Sequence, residues 1–246
     1  MLARVLALLA LCGLSHAAEL PAIFQTCHVN DVDFNTCLAK AIEDALYKLK
    51  DGEETLGLAP IGPLHVVEMS LDLGEGPISF ALKVRDLVVA GMENTTIVSV
   101  ELDPKKHVLV MKFKLDHLRL DFQYTASGHI LVVPIKGGGP AFFEMDNLFG
   151  THIVSTEPVE REGKTYWTIA NYTINIEPKA MRCHFDDILK GNSEVSDKVN
   201  GFLNSEWKLF YKQIQGPAEE AYAKLFKHLA SRVFDQVPIT DIFRDI

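Results

Sequence analysis

The chain has 246 residues, 48% of them hydrophobic and 23% charged, with a formal net charge of −9 at pH 7. That length supports one sizeable core or two modest ones. The acidic balance argues against nucleic acid or an anionic lipid surface as partner, and low-complexity runs and heptad repeats are absent.

Residues 1–18, MLARVLALLALCGLSHAA, read as a secretory signal peptide. Arg4 supplies the positive end, Val5 to Leu14 the apolar run, and Ser15-His16-Ala17 or the next alanine a small-residue cleavage site. The run is too short and wrongly flanked for a membrane span, and no later stretch is apolar enough to cross a bilayer. An exported chain is therefore expected, with residues 19–246 forming a single domain. Export permits disulfides. Cys27 and Cys37 close a short loop just ahead of a helical pattern and are read as a pair. Cys183 is then left as a buried free thiol or an intermolecular link. Residues 19–30 read as an extended arm containing Pro21.

Asp31 can cap a helix with Asp33 in its first turn. Phe34, Leu38, Ile42, Ala45, Leu46 and Leu49 follow at helical spacing, and Asp51-Gly52 ends the run. The stretch LGLAPIGPLHV, 56–66, is punctuated by Pro60, Gly62 and Pro63 and reads as an irregular connector.

The period then changes to two. Ile78, Phe80, Leu82 and Val84 alternate with polar or small residues, as do Leu109, Met111, Phe113 and Leu115. Leu118, Leu120, Phe122 and Tyr124 form the next run; Phe143 with Met145, and Tyr172 with Ile174 and Ile176, form later ones. Turn signals fall at Gly91, Asp103-Pro104, Ser127-Gly128, Gly137-Gly138-Gly139-Pro140 and Arg161 to Lys164. Many strands joined by short turns imply an antiparallel sheet with one apolar face. The sequons at Asn94 and Asn171 are expected surface glycan sites, and Asn171 falls on the polar phase of its strand.

A long helical stripe closes the chain: Val195, Val199, Phe202, Leu203, Trp207, Phe210, Ile214 and on to Val233, in steps of three or four. A flat sheet would leave most of such a helix exposed, whereas a sheet curling round it would bury the stripe. The expected fold class is therefore α+β. A strongly curved antiparallel sheet wraps a long C-terminal helix that Gly216-Pro217 should kink.

The order of these pieces resembles the insect takeout and juvenile-hormone-binding protein family. The matching stretches are CHVNDVDFNTCL (27–38), the connector 56–66, YTASGHILVVPIKGGGPAFFEM (124–145), FDDILKGNSEVSDKVNGFLNSEWKLF (185–210) and VPITDIF (237–243). The resemblance implies the super-roll fold and a hydrophobic tunnel for isoprenoid, fatty or related ligands. It also implies that hormone binders carry a second disulfide, for which Cys183 has no partner here; this favours the takeout-like branch.

Catalytic signatures are missing: no G-x-S-x-G, no H-E-x-x-H, and no C-x-x-C at metal spacing. Gly74-Glu75-Gly76 and Gly137 to Gly139 lack the rest of a phosphate-binding pattern and read as turn glycines. His107, His117 and His129 lie on or beside polar strand phases and read as surface residues, not metal ligands. The expectation is a non-enzyme with no cofactor and no metal. Its partner would be a small terpenoid or acyl lipid, without nucleic acid or stable membrane insertion, and the chain would be a monomer.

The binding candidates are Tyr124, Phe122, Phe143 and Met145 on the sheet, with Phe202, Trp207, Phe210 and Ile214 on the helix. Each helix residue could equally be plain core. Tyr124 has two readings: its hydroxyl reaches the rim or a backbone carbonyl, or it is a lone donor inside an apolar cavity. The resemblance implies a tyrosine in this stretch that contacts ligand. Access to the tunnel is expected at the arm and first helix around Cys27 and Cys37. The leading functional reading is a secreted carrier. The alternative is a secreted interaction protein acting through its outer surface.

Overall fold

The computed structural model describes residues 18–72, 76 and 78–246. The leader expected over 1–18 lies outside them except for Ala18, as do Gly74 and Glu75.

The N-terminal arm ends in a two-residue strand β1 (Cys27–His28), followed by helix α1 (Phe34–Lys48). Asp33, not Asp31, immediately precedes the helix, and its side chain makes no capping bond. The face carrying Phe34, Leu38 and Ala41 is buried. Cys27 and Cys37 form the expected disulfide, with their Cα atoms 6.0 Å apart.

The main sheet has seven antiparallel strands: β2 (Leu64–Asp72), β3 (Ile78–Ala90), β4 (Thr96–Asp103), β5 (Val108–Ile130), β6 (Val133–Arg161), β7 (Lys164–Glu177) and β8 (Ala180–Phe185). The order is β2-β3-β5-β6-β7, with β4 beside β5 and β8 beside β6. The runs read separately at 109–115 and 118–124 belong to one strand. Within it the buried phase moves from Phe113 and Leu115 to Leu118, Phe122 and Tyr124. On β6 the phase changes opposite this point, from Met145 to Leu148, beside Asn147 with φ 51°. In β3 a bulge between Arg85 and Val88 moves the buried set from Val84 to Leu87. Each change turns the apolar side inward again as the strand twists.

Two expected turns are not turns. Ser127-Gly128 lies within β5 and Gly137 to Pro140 within β6; the chain reverses between them at Leu131-Val132. The Gly137 backbone lies under the chain that follows β8: a Cβ there would stand 2.1 Å from the Asp187 carbonyl oxygen. Close approach, not turn geometry, requires that glycine.

The C-terminal stripe forms α2 (Ser193–Ser205) and α3 (Trp207–Phe234). The interruption falls at Glu206 (φ −104°, ψ 33°), while Gly216-Pro217 lies inside α3. Helix α3 touches β7 at one end of the strand order and β2 at the other, which requires the sheet to curve round it.

Side chains replace missing strand neighbours along the edge formed by β7 and β8, which both pair with the side of β6 away from β5. Along β8, the Phe185 N–H donates to Asn200 Oδ1 (2.9 Å) and Asn200 Nδ2 donates to the Phe185 carbonyl (3.0 Å). Asn204 makes the same pair of bonds with Cys183, at 3.0 and 2.8 Å. Along β7, Tyr211 donates its hydroxyl to the Ile176 carbonyl (2.5 Å), and Glu219 accepts the Ile176 N–H (2.8 Å). Lys227 donates to the Ala170 carbonyl (2.9 Å).

The chain closes with α4 (Ile239–Ile242) and β9 (Phe243–Arg244). Strand β9 pairs parallel with β1, so Cys27 lies opposite Phe243, and His28 Nδ1 meets Asp245 at 2.7 Å. The two ends of the described chain hold each other.

Candidate ligand cavity

Between the inner face of the sheet and α3 lies a cavity of about 520 Å³, within the range of small-molecule sites, about 300–1,000 Å³. Its floor comes from the buried phases of β3, β5 and β6, among them Phe80, Leu82, Phe122, Phe143 and Met145. Its roof is α3 from Phe210 to Leu225, including Pro217. Only Phe210 and Ala223 of α3 are buried in the core, and the incomplete burial of Ile214, Ala218, Ala221, Tyr222 and Leu225 follows from their place on the cavity wall. The exposed lining residues are Ser70 and Asp72 on β2 and Glu220 and Lys224 on α3, so the cavity meets solvent at the β2–α3 seam. Glu220 and Lys224 pair there at 2.6 Å.

A second cavity of about 220 Å³ lies farther along α3, walled by α1 through Ile42 and Leu46 and by the far half of the sheet. Ile176 and Tyr222 border both cavities. The second one contains a polar pair, His152 Nδ1 hydrogen-bonded to the Tyr172 hydroxyl at 2.8 Å. Burial lowers the His152 pKa to about 4, so the imidazole is neutral at physiological pH. Burial likewise pushes the Tyr172 hydroxyl well above its ordinary value.

Five of the sequence-derived candidates come together on the larger cavity: Phe122, Phe143, Met145, Phe210 and Ile214. Phe122 and Phe143 stack at 5.7 Å, and Phe143 and Phe210 at 6.0 Å, joining sheet to helix. Phe202 and Trp207 pack against the core but line neither cavity. Tyr124 follows the first of its two readings. It is 1% exposed, its hydroxyl donates to the Asp186 carbonyl at 2.7 Å, and its ring meets Phe185 edge-on. It lines neither cavity. Asn94 and Asn171 are both exposed. Cys183 is buried and unpaired, and burial pushes its thiol up to about 12.

Sequence reasoning missed Met69 and Leu71 on β2, the His152–Tyr172 pair, and Tyr222. The parity of β6 carried a signal for His152, since Leu148, His152 and Val154 share the buried phase. Among the described residues no group of three His, Cys, Asp or Glu could hold a metal, and no helix is long and apolar enough to cross a membrane.

The chain resembles known proteins at the level of family, sequence and fold. The family model described as "Haemolymph juvenile hormone binding protein (JHBP)" matches residues 5–244. The circadian clock-controlled protein daywake of Drosophila melanogaster is 22% identical over 240 residues, 94% of this chain and 91% of that protein. The crystal structure of Epiphyas postvittana takeout 1 superposes with a TM-score of 0.78 at 26% identity, covering 89% of this chain and 99% of that one.

Proposed function

We propose, for a chain that belongs to the haemolymph juvenile hormone binding protein family, that it is a secreted carrier holding one small hydrophobic ligand between sheet and α3. The observation that carries this reading is the 520 Å³ cavity, lined by Phe80, Leu82, Phe122, Phe143 and Met145 and roofed by a helix whose apolar side faces it. A terpenoid or acyl chain that loses ~300 Å² of apolar surface to such walls gains ~7 kcal/mol at ~25 cal/mol per Å², before ordering costs. Affinity then comes from area, and an apolar wall discriminates chain length by only ~1–3 kcal/mol per methylene.

Ligand exchange is proposed at the β2–α3 seam, where the exposed lining residues sit. Of the access expected from sequence, α1 borders the smaller chamber through Ile42 and Leu46, and no residue of the arm lines either chamber. The Tyr172 hydroxyl that meets His152 has its pKa pushed up by burial and is a poor nucleophile, which supports binding over catalysis.

The test is a cavity-filling variant. Ala221→Trp puts an indole into the space beside Ile214 and Leu225. Titration with the fluorescent lipophile N-phenylnaphthylamine should saturate at one per chain in the natural protein, and the variant should bind at least tenfold more weakly. Equal binding by both would place the ligand elsewhere.

A further inference from the structure

Three interior tyrosines have committed hydroxyls: Tyr124 to the Asp186 carbonyl, Tyr172 to His152 and Tyr211 to the Ile176 carbonyl. Tyr222 differs. Its hydroxyl is buried and has no hydrogen-bond partner, and its ring borders both the larger and the smaller cavity. A buried donor without an acceptor is disfavoured, and an arriving acceptor recovers what is lost. Resting on the carrier reading, we propose that Tyr222 is the specificity-determining donor. It selects neutral ligands whose acceptor oxygen, an ester or ketone carbonyl, lies within the chain with an apolar arm on each side.

Two features carry this, the position of the ring and the charge beside it. The position of Tyr222 between two apolar chambers places the acceptor inside the ligand, one arm extending toward Phe122 and Phe143 and the other toward Phe226 and His152. The hydroxyl is shielded as packed, so the ring must turn slightly into the space it borders to meet an acceptor. The charge nearby disfavours an anion, since of the charged lining residues Asp72, Glu219 and Glu220 are acidic and Lys224 alone is basic. Glu219, one turn before Tyr222, lines the larger cavity, and its carboxylate takes the Ile176 N–H and Gln215 Nε2. A ligand carboxylate would face that charge where water is scarce.

The experiment displaces N-phenylnaphthylamine from the full secreted protein with decyl decanoate, with heneicosane, the alkane of equal chain length, and with palmitate. The natural protein should prefer the ester over the alkane by about tenfold, the worth of one recovered hydrogen bond, and should bind palmitate more weakly than the ester. In Tyr222→Phe the ester-to-alkane ratio should fall close to one. The infrared carbonyl stretch of bound ester should lie at lower frequency in the natural protein than in the variant. An unchanged ratio and an unchanged carbonyl band in Tyr222→Phe overturn the assignment while leaving the carrier reading intact. If none of the three displaces the probe, the carrier reading itself fails.

Discussion

His152 shows how a single residue couples the cavity to pH. Its folded pKa, about 4, lies below the ordinary histidine value of 6.5, so the neutral form belongs to the folded state. The stabilisation is complete above pH 6.5 and is lost as pH falls toward 4, because the unfolded chain takes up the proton first. The loss should reach about 3 kcal/mol. Urea titrations at pH 7 and pH 4.5 should show a larger drop in the natural protein than in His152→Phe; equal drops would mean the ring is solvated. Cys183 makes a second residue-level case. With its thiol pushed up to about 12 and buried beside β6, it should resist a disulfide reagent at pH 8 until the protein unfolds. Fast labelling of the native protein would contradict its burial. The legibility of such residues from sequence was uneven. Phe122, Phe143 and Met145 were readable because strand parity fixes which way they point. Tyr124 shares that parity yet sends its hydroxyl to Asp186, because the chain after β8 crosses its end, a long-range approach that no local pattern encodes.

At the scale of elements, the roll depends on how its free edges are closed. Asn200 and Asn204 sit one turn apart on α2 and present their amides to the Phe185 and Cys183 backbone as a neighbouring strand would. Asn200→Ala strips both groups of Phe185 and should destabilise the protein by about 2–3 kcal/mol, since buried backbone groups left unpaired each cost about 1 kcal/mol or more. Chemical denaturation measures this directly, and a change under half a kcal/mol would contradict the edge-closing role. The helices themselves were legible from their three-and-four spacing. Their boundary was not, because Pro217 is accommodated within α3 while the interruption falls at Glu206, which has no breaker residue. The glycine run at 137–139 misled for a related reason: glycine marks a turn and a close backbone approach with the same letter, and here the approach of Asp187 and Ile188 decides.

The whole molecule is tied at its ends. Strand β1 pairs with β9, the Cys27–Cys37 bond anchors the arm to α1, and Phe34, Trp167 and Phe234 surround Phe243. Cys27→Ser with Cys37→Ser should lower stability by about 2–3 kcal/mol, the entropic worth of a short loop, with the larger cavity's binding retained because that cavity is walled by other elements. The wrapped architecture could be read from the sequence because a long amphipathic helix needs a curved partner. The size and division of the interior could not, since they depend on how Ile176 and Tyr222 meet between the chambers. Native mass spectrometry of the purified protein, followed by organic extraction of whatever it carries, tests the carrier role most directly. One molecule of a neutral hydrophobic compound per chain is expected, released by solvent and restored on re-addition. A chain that emerges without added mass, and gains none when offered long-chain esters, terpenoids or fatty acids, would contradict that role.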